Sequence, residues 1–270
     1  MRFAANRGLP ASRPVPLSSA VGAIRRALFE YPRTGLLLDY DGTLAPIVQD
    51  PTTARMSTSA REALSRLARQ LSVVGVVSGR ELDDLAERAS APGIWLAGSH
   101  GAVIRRPSGQ EERATVSPEM LRQLPQLPVD LSDMIGVRRE IKTSAVAFHY
   151  RGLESDRSLV EELRRRVSVE SRNAGLTLGE GRCVFEARVP GIDKGAALRR
   201  IVDVADLRVV VVVGDDWTDL DAFRAAHDHA TCEGIAIAVN SSEIPVPLQA
   251  VADVLAVDVA EVENWLRSLA

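Results

Sequence analysis

Ten residues, Gly35 to Leu44, constrain this chain more than any others: Gly-Leu-Leu-Leu-Asp-Tyr-Asp-Gly-Thr-Leu. Leu36, Leu37 and Leu38 form an uninterrupted apolar run, the pattern of a strand buried on both faces inside a parallel sheet. Asp39 and Asp41 follow at its carboxyl end, the edge where open α/β sheets place their ligands. Residues two apart on an extended chain point to one side. Both carboxylates are therefore expected to aim into one crevice, while Gly42 lets the backbone turn away. An acidic β-turn accounts for Asp-Gly alone, so the rest of the chain must decide between a turn and a site.

That remainder alternates helix and strand patterns. Val21, Ile24 and Leu28 give one apolar face to a helix over Ser18–Glu30. The string Ser59-Ala60-Arg61-Glu62 predicts a capping box opening a helix that carries Leu64, Leu67 and Leu71. Ser72–Val77 predicts a buried strand ending in Ser78-Gly79-Arg80. A helix over Glu81–Ala89 and a short strand over Ile94–Ala97 follow, then Gly98-Ser99-His100-Gly101. The texture changes after Ile104. Arg105–Pro128 is polar and carries several prolines. Val137–Arg151 alternates like a strand, with Ile141, Thr143, Ala145 and Ala147 on one side. Leu159–Val167 reads as an Arg/Glu-rich helix, and Leu176–Leu178 and Cys183–Val189 as strands around a turn at Gly179-Glu180-Gly181. Together these predict an inserted α+β unit.

Pro190 and Gly191 mark the return. A helix is predicted over Lys194–Ala205, and five valines after Arg208 make the most β-prone run in the chain. That run ends in Gly214-Asp215-Asp216-Trp217-Thr218-Asp219. A helix over Leu220–Ala226 and strands over Gly234–Val239 and Ala252–Val257 follow. Val262, Trp265, Leu266 and Leu269 then line a closing amphipathic helix. The predicted architecture is α/β, a doubly wound, Rossmann-like parallel sheet built from residues 18–104 and 190–270. The α+β insert spans 105–189, and residues 1–17 read as a loose tail.

Composition narrows the function. A net charge of −3 and a pI near 5.9 argue against nucleic acid as a partner, which calls for a basic surface. No apolar run is long enough to span a bilayer, and Met1–Pro16 lacks the apolar core of a signal peptide. Two cysteines, Cys183 and Cys232, are too few for a disulfide framework or a zinc cluster. A cytoplasmic location with reduced thiols is the expectation. Of the 33 Lys and Arg residues, Lys142 and Lys194 alone are lysines. Their survival in an arginine-rich chain suggests sites that need a compact ammonium instead of a planar fork.

Three predicted strands end in polar punctuation: Asp39/Asp41, Ser78-Gly79-Arg80 and Asp215/Asp216/Asp219. On one edge of a parallel sheet these endings meet. Carboxylates about 4 Å apart repel by about 4 kcal/mol per pair at an effective dielectric near 20. Such crowding calls for a cation, and hard oxygen ligands suit a hard divalent ion, Mg²⁺ once a phosphate substrate is implied. Local alternatives exist: Ser78-Gly79-Arg80 as a helix cap, Asp216 and Asp219 as helix-start acids, Lys194 as a solvated helix residue.

In this order the motifs resemble those of the haloacid dehalogenase superfamily: Asp-x-Asp, Ser/Thr, Lys, then Gly-Asp-Asp-x-x-x-Asp or a relative, here Gly214-Asp215-Asp216-Trp217-Thr218-Asp219. That resemblance implies a phosphatase core with an inserted cap. Asp39 is then the nucleophile, Asp41 the general acid and base, and Lys194 a neutraliser of shared charge. Ser78, Gly79, Arg80 and Lys194 hold the phosphoryl group, and Asp39, Asp41, Asp215, Asp216 and Asp219 form or support the metal site. Further strings resemble trehalose-6-phosphate phosphatases. They are Gly98-Ser99-His100-Gly101, Glu140-Ile141-Lys142, His149-Tyr150-Arg151, Gly181 to Arg188, and Gly191-Ile192-Asp193-Lys194-Gly195. Leu220 departs from that pattern, standing where the last motif commonly has Glu.

This second resemblance implies a sugar-phosphate substrate, with His100, Glu140, Lys142, Arg151, Glu186 and Arg188 around the sugar. His149 and Cys183 are expected to be structural, and Trp217 to pack or touch the cap. The cap is expected to move about Arg105–Pro107 and Val189–Gly191. The upstream trehalose-phosphate synthase is the implied protein partner. Two other functions fit the same motifs: a phosphatase for glucosyl- or mannosyl-phosphoglycerate, and a non-catalytic sugar-phosphate sensor.

Overall fold

The computed structural model describes residues 14–48, 50–241 and 244–270. The chain runs β1 (Val15–Pro16), α1 (Leu17–Phe29), β2 (Thr34–Leu38), α2 (Thr58–Leu67), β3 (Val73–Val77), α3 (Leu82–Ala89), β4 (Trp95–Gly98), β5 (Val103–Arg105) and β6 (Glu111–Arg113). It continues through α4 (Pro118–Gln123), β7 (Arg138–Ile141), β8 (Ala145–His149), α5 (Arg157–Asn173), β9 (Thr177–Gly181) and β10 (Val184–Arg188). Last come α6 (Lys194–Val204), β11 (Val209–Gly214), α7 (Trp217–Asp228), β12 (Glu233–Val239), α8 (Val246–Val251), β13 (Val254–Ala256) and α9 (Val259–Leu269). Two compact units result: the chain up to Glu112 together with Asp193–Ala270, and Arg113–Ile192.

The first unit is an α/β core on a sheet of order β1-β13-β12-β11-β2-β3-β4-β5-β6. The pairs from β1 across to β4 are parallel, and β5 turns back antiparallel on β4. β2, β3 and β11 are buried at every position, as the run of leucines and valines requires. Alternate residues serve opposite faces. Leu37, Val210 and Val212 join one cluster with Leu198, Ile201 and Phe223 from α6 and α7. Leu36, Leu38, Val211 and Val213 are as deeply buried, and α1 packs on β2, β11 and β13. Each buried valine contributes on the order of 1.5–3 kcal/mol relative to an exposed one. The helix faces fit: α1 buries Leu17, Ala20, Ile24, Ala27 and Leu28 at three- and four-residue spacing.

The second unit is a two-layer α+β structure. Its antiparallel sheet has the order β7-β8-β10-β9. α5 lies against β9 and β10 and buries Leu163, Val167 and Ser171, one residue per turn, leaving its Arg/Glu surface to solvent. Among the described residues of the whole chain, no helix is long and apolar enough to cross a membrane.

Four local expectations are corrected. The helix carrying Leu64 is capped by Ser57, whose Oγ accepts the Ala60 N–H at 3.0 Å. Ser59 is turned instead to Glu263 of α9. The alternation over Val137–Arg151 is two strands, not one. The Lys142 N–H donates to the Ala145 carbonyl at 2.9 Å and closes a hairpin. Ile141 is thereby 56% exposed while Ala145 and Ala147 are buried. Gly179-Glu180-Gly181 lies within β9, and the chain reverses at Arg182-Cys183, with Cys183 at φ 55°. Gly179 is there for space: a Cβ would come 2.0 Å from Arg188 Nε. The expected loose N-terminal stretch ends early, because Val15 and Pro16 pair with Val254 and Leu255; residues 1–13 lie outside the described residues.

Candidate active site

β2 and β11 are neighbours, and the chain leaves them in opposite directions, toward β3 and β4 on one side and β12 and β13 on the other. A sheet parts its loops at such a switch point and leaves a crevice beyond the strand ends. The Asp39 N–H donates to the Val213 carbonyl at 2.9 Å, so the loops after both strands start side by side. Asp39, Asp215 and Asp219 are all buried, and one carboxylate oxygen from each lies within 4.8 Å of the others. Gly42 makes the approach possible. Its φ is +88°, and a Cβ there would lie 2.1 Å from Asp215 Oδ2.

Lys194, first residue of α6, is buried at this cluster. Its Nζ donates to Asp39 Oδ1 at 2.5 Å and to Asp219 Oδ1 at 2.7 Å. Asp219 Oδ2 accepts the N–H groups of Asp215 and Asp216, each at 3.1 Å. Burial works against the Lys194 charge, but Asp219 and Asp39 outweigh it and raise its pKa, so it stays an ammonium. The deficit of positive charge falls on Asp39. Burial, reinforced by Asp219 and Asp41 and opposed by Lys194, pushes its carboxyl from 3.8 up to about 7. Three buried carboxylates thus gather around the Lys194 ammonium. An all-oxygen, anionic set of this kind fits a hard divalent cation.

Asp41 and Asp216, also expected at the metal, are not members of this trio. Asp216 and Asp219 form a capping box at the start of α7. The Asp41 carboxylate is turned to Arg80, which grips it with Nε on Oδ2 and Nη2 on Oδ1, both at 2.7 Å. Arg80 was expected at the phosphoryl group; here it faces Asp41, while Nη1 donates to Asp84 and Nη2 also to the Pro51 carbonyl. Ser78 is buried, and its Oγ accepts the Arg80 N–H at 3.2 Å. Gly79 lies under the His100 ring. Ser99 and His100 both adopt left-handed backbone, at φ 50° and 57°, held by N–H bonds to the Arg80 and Ser78 carbonyls. Strain of this kind is kept where the surroundings over-determine the geometry. Leu220 is buried in the apolar cluster, and Trp217 is 40% exposed at the first position of α7.

In the second unit, register places Glu140, Ala147, Glu186 and Gly179 in one row across β7, β8, β10 and β9. The small residues form a floor for the charged ones. Lys142 Nζ donates to Glu186 Oε1 at 2.7 Å, and Arg188 Nε lies 3.9 Å from Glu186 Oε2. His149 Nε2 and Glu140 Oε2 are 2.7 Å apart. That bond holds the Glu140 carboxyl below its ordinary range despite burial, with help from Lys142. Arg151 is exposed beyond the end of β8. Both lysines of the chain thus sit in acidic clusters, one per unit. Two contacts here are not expected from sequence: His149, expected to be structural, meets Glu140, and Asp84, which had no assigned role, meets Arg80. His149 becomes legible once Lys142-Thr143-Ser144 is read as a hairpin loop; the Asp84 contact to Arg80 carries the helical i,i+4 signal.

Residues 37–254 match the family profile described as trehalose-phosphatase. A trehalose-phosphate phosphatase of Mycobacterium marinum is 40% identical over 223 residues, covering 78% of this chain and 55% of that protein. The trehalose-6-phosphate phosphatase C-terminal domain of Candida albicans superposes with a TM-score of 0.80 at 20% identity, covering 96% of this chain and 99% of that one. A crystal structure of a trehalose-6-phosphate phosphatase related protein superposes with a TM-score of 0.62 at 27% identity, covering 87% and 96%. The chain spans about half the length of the curated mycobacterial phosphatases it matches.

Proposed function

We propose that this chain, which belongs to the trehalose-phosphatase family, hydrolyses trehalose 6-phosphate to trehalose and inorganic phosphate with Mg²⁺ as cofactor. The observation that carries this reading is the buried Asp39–Lys194–Asp219 chain with Asp215 beside it at the switch point. Asp39, Asp215 and the Asp41 backbone carbonyl would hold the cation, with Asp219 fixing Lys194 and the third loop. When bound, Mg²⁺ would keep Asp39 ionised and offset the charge of the phosphate.

The protein's own groups perform the rest. Lys194 occupies Asp39 Oδ1 and leaves Oδ2 to attack phosphorus. As the new O–P bond forms, the bond from phosphorus to the sugar oxygen breaks, and Asp41 gives that oxygen a proton. Water then attacks the aspartyl-phosphate, Asp41 takes its proton, and phosphate leaves with the Asp39 carboxylate restored. Lys194 follows the developing charge without moving far, because it is already in place. Ser78 and the turn amides around it would hold phosphoryl oxygens. Glu140, Lys142 and Glu186 would bind sugar hydroxyls through charge-assisted hydrogen bonds, with Arg151, Arg188 and His100 as further contacts.

The test is phosphate release across a panel: trehalose 6-phosphate, glucosyl-phosphoglycerate and mannosyl-phosphoglycerate, each with Mg²⁺ and after chelation. Trehalose 6-phosphate should give the highest kcat/KM, chelation should abolish it, and Asp39→Asn should cost about four orders of magnitude or more. Equal or better turnover of a phosphoglycerate glycoside would reverse the substrate assignment.

A further inference from the structure

The geometry points to Asp84 and Arg88 as positioning residues for Asp41, acting through Arg80. Arg80, Asp84 and Arg88 are spaced four apart and share one side of α3 and its lead-in. Asp84 is clasped from both ends. Its Oδ2 accepts Arg80 Nη1 at 2.8 Å, and its Oδ1 accepts Arg88 at 2.7 Å. Arg88 is buried, and its Nη1 donates to the Thr52 carbonyl at 2.8 Å and the Ala54 carbonyl at 3.3 Å. Arg80 lies over the Tyr40 ring, 5.4 Å from its centroid. The Tyr40 hydroxyl reaches the same Ala54 carbonyl at 3.4 Å. The chain of contacts runs from the backbone of residues 52–54 through Arg88, Asp84 and Arg80 to both oxygens of Asp41.

Burying guanidinium groups costs free energy unless their N–H groups are paired. Here the pairing of two arginines ends on the carboxylate that must face the leaving oxygen. A guanidinium is a rigid plane, so where Asp84 holds its Nη1 fixes where its other edge presents Asp41. A displacement of about 1 Å at a reacting group costs on the order of a hundredfold. This inference rests on the phosphatase reading above, in which Asp41 is the acid.

The leaving group supplies the test. A sugar alkoxide must be protonated as it departs; p-nitrophenolate need not be. General acid catalysis contributes about 10²–10⁴-fold. Asp84→Ala should therefore lower kcat on trehalose 6-phosphate by about thirtyfold and on p-nitrophenyl phosphate by less than about threefold. Asp84→Asn, which keeps an acceptor at the same place, should fall between parent and Asp84→Ala, and serves if the alanine variant does not fold. Arg88→Lys should show the same split at smaller size. Equal losses on both esters, or no loss on either, in a folded variant of an active parent overturn the inference alone. A parent inert on both esters overturns the function reading, and the inference falls with it.

Discussion

The two compact units each bury carboxylates beside a lysine, and they balance the charge in opposite ways. In the core, Lys194 is divided between Asp39 and Asp219 while Asp215 closes the group, so acid outnumbers base and Asp39 titrates near 7. In the insert, Glu140 has His149, Glu186 has Lys142, and Arg188 stands near. On the proposed reading, the first arrangement would take a cation and then a phosphate. The second pairs its charges within itself, and on the proposed reading would offer them to neutral hydroxyls. The proposed reaction assigns phosphoryl transfer to the first unit and sugar recognition to the second.

Removing a cluster acid should break that contrast most severely. Asp215→Ala should lower kcat by about a thousandfold, the several kcal/mol that a Lewis-acid metal supplies. It should also abolish the rise in melting temperature on adding Mg²⁺. In the parent that rise should reflect about 2.7 kcal/mol at a hundredfold excess over Kd. A variant that still gains thermal stability from Mg²⁺ would show that the cation sits elsewhere.

A smaller effect should come from the insert. Lys142→Met leaves Glu186 without its ammonium, and a hydrogen bond to a charged group is worth about 1.5–3 kcal/mol. KM for trehalose 6-phosphate should rise about tenfold or more, with kcat nearly unchanged and p-nitrophenyl phosphate turnover little affected. A fall in kcat at constant KM would dissolve the division of labour.

The smallest effect is on stability. Without a cation, folded Asp39 keeps a proton until about 7, whereas the unfolded chain loses it near 3.8. Across that window the folded state binds more protons than the unfolded one, so stability falls as pH rises and levels off above it. Asp39→Asn cannot titrate and should lack this fall. Melting curves of both proteins in chelator, from pH 4 to pH 8, should show the parent losing a few degrees relative to the variant. Parallel curves would mean that Asp39 is already compensated.

Much of the fold, and the meeting of Asp39, Lys194, Asp215 and Asp219, were legible in the sequence for a shared reason. Leu36–Leu38 and Val209–Val213 can satisfy their backbone and side chains together only as interior strands. Parallel strands then bring Asp39 and Asp215 to one edge whatever the rest of the chain does. Lys194 was legible because it breaks the arginine habit of the chain. Glu140 and Lys142 were expected on one strand, but Lys142 lies in the turn of a hairpin, since alternation does not reveal where an extended run folds back. Ser59 and Ser57 offer equivalent local capping chemistry, and packing against Glu263 chose between them.

The sequence by itself determined the interior strands, their polar endings and the gathering of acids at one edge, because these follow from local backbone preference and the direction of parallel strands. Tertiary structure alone decided that Arg80 grips Asp41, 39 positions away, and that His149 meets Glu140. With 33 cationic and 36 acidic side chains, the possible pairings are too many and too alike for spacing to rank. Only the packed backbone, by setting which groups are buried within reach of each other, selects among them.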